Sequence, residues 1–240
     1  MTETASKVGA EEIRVLSAGA VKRGVGALAE AFGRDTGAIV TVTFATAPVL
    51  KRKVEDGTAE ADVVIAPVPA MEAFEETGLV VAGTSAVIGS VKAAVVVRDG
   101  AYAPDISTAE TFKYAILDAD SLVYNQASSG LYIEELMARL GVAEAVAAKT
   151  TRVATGAEVM KHLAASEAPN EIGFGQIPEI SVYEDQGIRL VGPLPEEIGK
   201  TTTYAAGLSA TARAPEPARA FIDSMATPAA KETFRATGVE

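Results

Sequence analysis

Two spacings of apolar residues alternate along this chain. Short β-branched runs recur: Ile13 to Ser17, Ile39 to Phe44, Asp62 to Ala66 and Val91 to Arg98. Runs of this length and composition read as buried strands. Between them the apolar residues fall at helical spacing. Val21, Val25, Leu28, Ala29 and Phe32 share one face, and Asp35-Thr36-Gly37 supplies a stop with glycine at its end. Helices are likewise predicted over 48–56, ending at Gly57, and over 69–77, ending at Gly78.

The rhythm then restarts. Asp105 to Phe112 reads as a turn and short helix, and 122–125 as a strand. A helix follows Ser128-Ser129-Gly130 and ends at Leu140-Gly141. A further helix is predicted over 156–166, strands over 171–175 and 188–192, and an extended apolar segment over 202–210. Two helices close the chain, and they have no local strand beyond Ala206-Gly207-Leu208 to pack on. They are therefore expected to return to the first half. Strand–helix repeats predict α/β architecture with parallel sheets and right-handed crossovers. The chain would cross between lobes near 83–92 and again near 200–206, and two crossings make a hinge. Lobe 1 is expected to comprise 1–85 plus 206–240, and lobe 2 to comprise 86–205, with a ligand cleft between them.

Composition narrows the chemistry. Of 240 residues 48% are hydrophobic, yet only 5% are aromatic and none is Trp, so Ala, Val, Ile and Leu must build the core. The net charge of −11, without a basic run, argues against nucleic acid and anionic membranes as partners. It permits an anionic ligand, because helix N-termini can bind an anion inside an acidic protein. With no Cys, disulfides, thiolate metal sites and cysteine nucleophiles are excluded. A single His, His162, makes a histidine metal site or a Ser-His-Asp triad a poor fit; it reads as a solvent-facing helix residue. No metal or cofactor is implied. The lead MTETASKVGAEEIRVL lacks a cationic and apolar export signal, and no segment is long and apolar enough to cross a bilayer. The expectation is a cytoplasmic protein, or a periplasmic one whose signal has been removed.

In order and spacing, VLSAGAVKRGVGALAEAFGRDTG, TFATAPVLKRKVEDGTAEADVVIA, YNQASSGLYIEELMARLGV, NEIGFGQIPEI, GPLPEEI and PEPARAFIDSMATPAAKETFRATG resemble the molybdate-type periplasmic substrate-binding family. That family includes aconitate-isomerase-like members, and the resemblance runs from about Ile13 to Val239. It implies a type 2 periplasmic-binding-protein fold. An oxyanion would lie between the lobes, held by hydroxyls and by backbone amides at helix N-termini. The first binding loop corresponds to Ser17-Ala18-Gly19-Ala20, with Ala20 at the usual serine position. The second corresponds to Thr46-Ala47, with Ala47 near the usual serine. The second lobe offers Ser128, Ser129 and Gly130, and Gln176 stands where such molybdate binders carry a tyrosine.

Loss of two hydroxyls at a desolvated oxyanion costs about 1–3 kcal/mol each, so molybdate fits poorly. The widened pocket with an added amide suits a di- or tricarboxylate. Each residue also has a plain structural reading: Ser128 and Ser129 as helix caps, Thr46 likewise, Gln176 as a polar loop residue. Lys22 and Arg23 sit in the first turn of the first helix, where cations oppose its dipole; they face a ligand carboxylate or simply solvent. Two functions follow. The first is capture of a small anion, with an ABC-transporter permease as partner if the protein is exported. The second is isomerisation of an unsaturated organic acid by proton transfer. The second needs a base, for which Ser17, Lys22 and Ser129 are the weak candidates.

Overall fold

The computed structural model describes residues 12–240. In chain order the strands are β1 (Glu12–Ala18), β2 (Ile39–Ala45), β3 (Val63–Pro67), β4 (Ala86–Arg98), β5 (Ser121–Asn125), β6 (Thr150–Val153), β7 (Glu171–Gln176), β8 (Ile188–Pro193) and β9 (Thr201–Leu208). The helices are α1 (Lys22–Thr36), α2 (Ala47–Glu55), α3 (Val68–Glu76), α4 (Ala109–Asp118), α5 (Ser128–Arg139), α6 (Ala143–Ala147), α7 (Gly156–Ala165), α8 (Ile177–Ile180), α9 (Pro215–Met225) and α10 (Pro228–Arg235). A single 3-10 turn, Gly19–Val21, precedes α1.

The strands follow the order β2-β1-β3-β9-β4-β7-β5-β6, with β8 on β4. Where strand–helix–strand units repeat, the pairing is parallel: β1 with β2 and β3, and β5 with β6 and β7. The pairs β3–β9, β4–β7, β4–β8 and β4–β9 are antiparallel. β4 is the long element that joins the two halves. Up to Lys92 it pairs with β9, and from Ala93 onward with β7 and β8. A bulge between Val87 and Gly89 bends it early, and Gly89 at φ 143 adopts a conformation that only glycine accepts readily.

The cores divide at the same point. One cluster gathers Ile13, Val15, Val63, Ile65, Phe74 and Ile88 with Tyr204, Phe221 and Phe234 from the end of the chain. Two others, around Val95, Phe112, Leu122 and Phe174 and around Val96, Val159, Met160 and Leu163, fill the second half. The closing helices α9 and α10 pack in the first of these clusters, and Gly24 in α1 leaves the space that the Phe234 ring occupies. Gly37 at φ 80 caps α1, as its place after Asp35-Thr36 predicts.

Candidate functional site

A parallel strand delivers its ligand chemistry at its carboxyl end, where the next helix begins. β1, β2, β5, β6 and β7 all end on one hollow. It is lined by Ala18, Gly19, Ala20, Phe44, Ala45, Thr46 and Ala47 from the first half. Asn125, Ala127, Ser128, Ser129, Thr155, Gly156, Gln176 and Glu179 come from the second half, and Tyr204 from β9. The cavity holds about 200 Å³, below the roughly 300–1,000 Å³ of drug-sized ligand pockets. It fits a small ligand.

The backbone supplies most of its polarity. The 3-10 turn at Gly19 and α2 at Ala47 begin with no side-chain cap, and α5 at Ser128 has none from the residue that precedes it. Their first N–H groups have no partner within the helix, and each helix end carries partial positive charge. The start of α7, also at the hollow, is capped by Thr155, as α4 and α10 are capped elsewhere by Thr108 and Thr227, whereas α3, α6 and α9 start away from the hollow without a side-chain cap. No Lys, Arg or His is among the lining residues. Among the described residues no cluster of three or more His, Asp or Glu could hold a metal ion.

Asn125 organises the start of α5. Its Oδ1 accepts from Ala127 N at 2.9 Å and Gly130 N at 3.2 Å, and its Nδ2 donates to Ser129 Oγ at 3.0 Å. With that lone pair occupied, the Ser129 hydroxyl proton can swing between Asn125 Oδ1, 3.3 Å away, and the cleft. Thr155 caps α7 in a box with Glu158. Gly156, the next residue, is bare for a reason: a methyl group there would overlap both carboxylate oxygens of Glu179.

Glu179 is the acid of the cleft. Burial pushes its pKa up to about 7, because taking a carboxylate out of water disfavours the charged form. Tyr204 is fully buried beside it. Burial first raises the phenol to about 12, a hydrogen bond with Gln176 opposes that, and the Glu179 charge adds to it. The phenol is therefore a neutral donor at any ordinary pH.

Most residues chosen from sequence meet here: Ala18, Gly19, Ala20, Thr46, Ala47, Ser128, Ser129 and Gln176. Three do not. Ser17 is fully buried in β1, opposite Phe44 and Ile65, and donates to Ala18 O at 3.1 Å. The strand runs one residue past it, and its side chain lies outside the lining of the hollow. Gly130 is a packing residue, since a Cβ there would strike the Asn125 carbonyl and its N–H is already held by Asn125. Lys22 lies outside the lining, with Nζ 5.6 Å from the Phe44 ring centre. Nor does His162 simply face solvent: its Nε2 lies 3.0 Å from Glu171 Oε1.

Sequence reasoning missed Phe44, Asn125, Thr155, Glu179 and Tyr204. All but Tyr204 sit at or just past the carboxyl end of a parallel strand, and that rule applied to every strand would have found them. A wider hollow of about 570 Å³ on the outer face of the second half contains Tyr102, Asp105 and Tyr114. The helix starting beside it, α4, has a closed capping box.

Two halves joined by β4 and β9, with helix ends aimed into the space between, define a ligand receptor of the periplasmic-binding-protein kind. The chain belongs to the bacterial extracellular solute-binding protein family, whose model matches residues 13–240. It is 28% identical over 235 residues to an aconitate isomerase of a Pseudomonas species, a match covering 95% of this chain and 87% of that one. Its fold is similar to the Azotobacter vinelandii periplasmic molybdate-binding protein, with TM-score 0.77 and 16% identity over 95% of this chain and 98% of that one. The sulfate-binding protein SubI of Mycobacterium tuberculosis H37Rv is also similar, with TM-score 0.74 and 16% identity over 95% and 86% of the two chains. The resemblance to molybdate-type binding proteins is thus matched in three dimensions.

Proposed function

We propose that the chain captures a small organic carboxylate in the cleft between its two halves. One observation carries this reading. Helix starts from both halves converge on a cavity of about 200 Å³ whose lining holds no cation. Such a site binds an anion through backbone N–H groups and hydroxyls rather than by ion pairing. Ala20 and Ala47 lack the hydroxyls that a compact tetrahedral oxyanion would use. Gln176, Asn125 and Tyr204 spread neutral polar groups over a wider area, which suits a ligand with two or three carboxylates.

A melting-temperature screen followed by calorimetry tests it, with molybdate, tungstate, sulfate, phosphate, citrate and the aconitates as probes. A ligand that binds only the native state raises the melting temperature by mass action. The reading expects carboxylates to do so, and molybdate binding tighter than every carboxylate would refute it.

A second reading has its own support. The aconitate isomerase relative and the presence of Glu179 in an anion cleft both favour isomerisation of an unsaturated carboxylic acid on the same fold. The cytoplasmic expectation goes with this reading, and delivery to a transporter permease goes with capture alone.

A further inference from the structure

An acid in the lining of an anion site needs an explanation. When ionised, Glu179 repels the ligand that the helix ends attract, so a receptor built only for capture gains nothing from it. Yet the neighbouring turn leaves room for this carboxylate. Gly156 gives up its side chain where any Cβ would overlap the carboxylate. Among the described residues, no side chain forms a hydrogen bond or ion pair with it in compensation. Its helix, α8, is a single turn that follows β7 directly, and Gly238 at the end of the chain lies close against Ile177 and Pro178. The carboxylate is thus held at the meeting of the two halves, in a place that a bound anion must share.

We propose that Glu179 is the proton-transfer residue of an alkenoic di- or tricarboxylate isomerase; the proposal rests on the isomerase reading above. The Glu179 carboxylate removes a proton from the carbon that lies next to one ligand carboxylate and is allylic to the double bond. The C–H electron pair becomes the new C=C. The former π pair moves to the far carbon or onto the adjoining carboxylate, giving a dienolate. Glu179, now a carboxylic acid, returns the proton at the far carbon. One bond to hydrogen breaks and one forms, nothing is oxidised or reduced, and no co-reactant is consumed. The negative charge that develops on the ligand oxygens falls where Gly19, Ala47, Ser128 and Ser129 present N–H groups. Tyr204 and Gln176 remain neutral donors beside it.

Burial tunes the group as this role requires, since a general base works best with a pKa near the operating pH, and Glu179 is pushed up to about 7. The charged and titratable groups of the neighbouring elements leave that assignment intact: Tyr204 on β9 stays protonated beside it, Glu158 on α7 is bound in its own capping box, and Lys22 on α1 has its Nζ by the Phe44 ring.

The experiment uses trans-aconitate and cis-aconitate in D2O, followed by proton NMR, with wild type, Glu179→Gln and Glu179→Asp. Wild type is expected to interconvert the two with a kcat/KM that rises with pH through about 7. Glu179→Gln, an isosteric neutral change, should bind aconitate at least as tightly by calorimetry, and a ligand-induced rise in melting temperature confirms that it is folded. Its turnover should fall about 100-fold or more, the scale of a lost general base. Glu179→Asp keeps a carboxylate and should retain more turnover than Glu179→Gln, together with the pH dependence. If wild type converts aconitate and Glu179→Gln does so equally well, the base lies elsewhere and this assignment alone falls. If wild type binds aconitate without conversion or deuterium uptake, the isomerase reading falls and takes the assignment with it, while carboxylate capture stands.

Discussion

Replacing Glu179 with Gln should make the protein more stable at alkaline pH and leave it unchanged in acid. The carboxylate sits in the cleft with its pKa raised from 4.5 to about 7 by burial. The native state therefore holds this proton more tightly than the unfolded chain does. Between about pH 4.5 and 7 the native protein binds more protons, and its stability falls as pH rises. The favourable contribution is complete below the lower value and gone above the upper one. At about 1.4 kcal/mol for each pH unit, the full difference is about 3 kcal/mol. Because the side chain is only partly enclosed, about 2 kcal/mol is the expected measurable value. Urea unfolding at pH 4.5, 6 and 8, with wild type and Glu179→Gln side by side, measures it. The other acids titrate in both proteins, so the difference between the two curves isolates this one. Parallel pH dependences in wild type and variant would refute the reasoning, for they would mean that the carboxylate is as well solvated folded as unfolded.

Two further outcomes follow from the start of α5. Gly130→Ala would drive a methyl group into the Asn125 carbonyl, a backbone atom that cannot swing away, and should cost about 3 kcal/mol, the upper end for overpacking, read by chemical denaturation. Ser129→Ala should weaken the carboxylate ligand about 10- to 100-fold, the loss of one hydrogen bond to a charged group, and cost about 1–3 kcal/mol of stability by leaving the buried Asn125 Nδ2 without its acceptor, whereas Asn125→Ala should cost more stability, because Asn125 also holds the Ala127 and Gly130 N–H groups; calorimetry and melting together separate the two.

The fold was legible because its strands are rich in β-branched residues and the central ones, β3, β5 and β7, are buried along nearly all their length. IVTVTF and VKAAVVVR are dense enough in β-branched residues to stand out, and the glycines at 37, 57 and 78 stop helices where they should. Two elements were hidden by their own chemistry. β4 starts at Ala86 rather than Val91, but Gly89 and Ser90 interrupt its apolar run, and the interruption is the bulge itself. β6, with the sequence TTRV, is short and largely polar, so neither period nor propensity marks it. Missing β6 meant missing Thr155 and Gly156 just beyond its end.

The site was half legible for a related reason. Its anion-binding groups are mainly backbone N–H groups, and these leave no mark in the sequence except the small residues that expose them, as at Ala18-Gly19-Ala20. By residue type Glu179 is one of 32 Asp and Glu residues. What sets it apart is where the chain carries it. It lies three residues past Gln176 at the end of β7, in the turn that brings it over Gly156, 23 positions earlier in sequence. The net charge of −11 therefore says little about the ligand. Charges on the outer surface are screened by salt within about 10 Å, whereas the helix ends and the Glu179 carboxylate act inside the cleft, where screening is weak. A site that attracts an anion with backbone dipoles, and sets a single carboxylate among them, carries the two kinds of group that the proposed proton transfer requires.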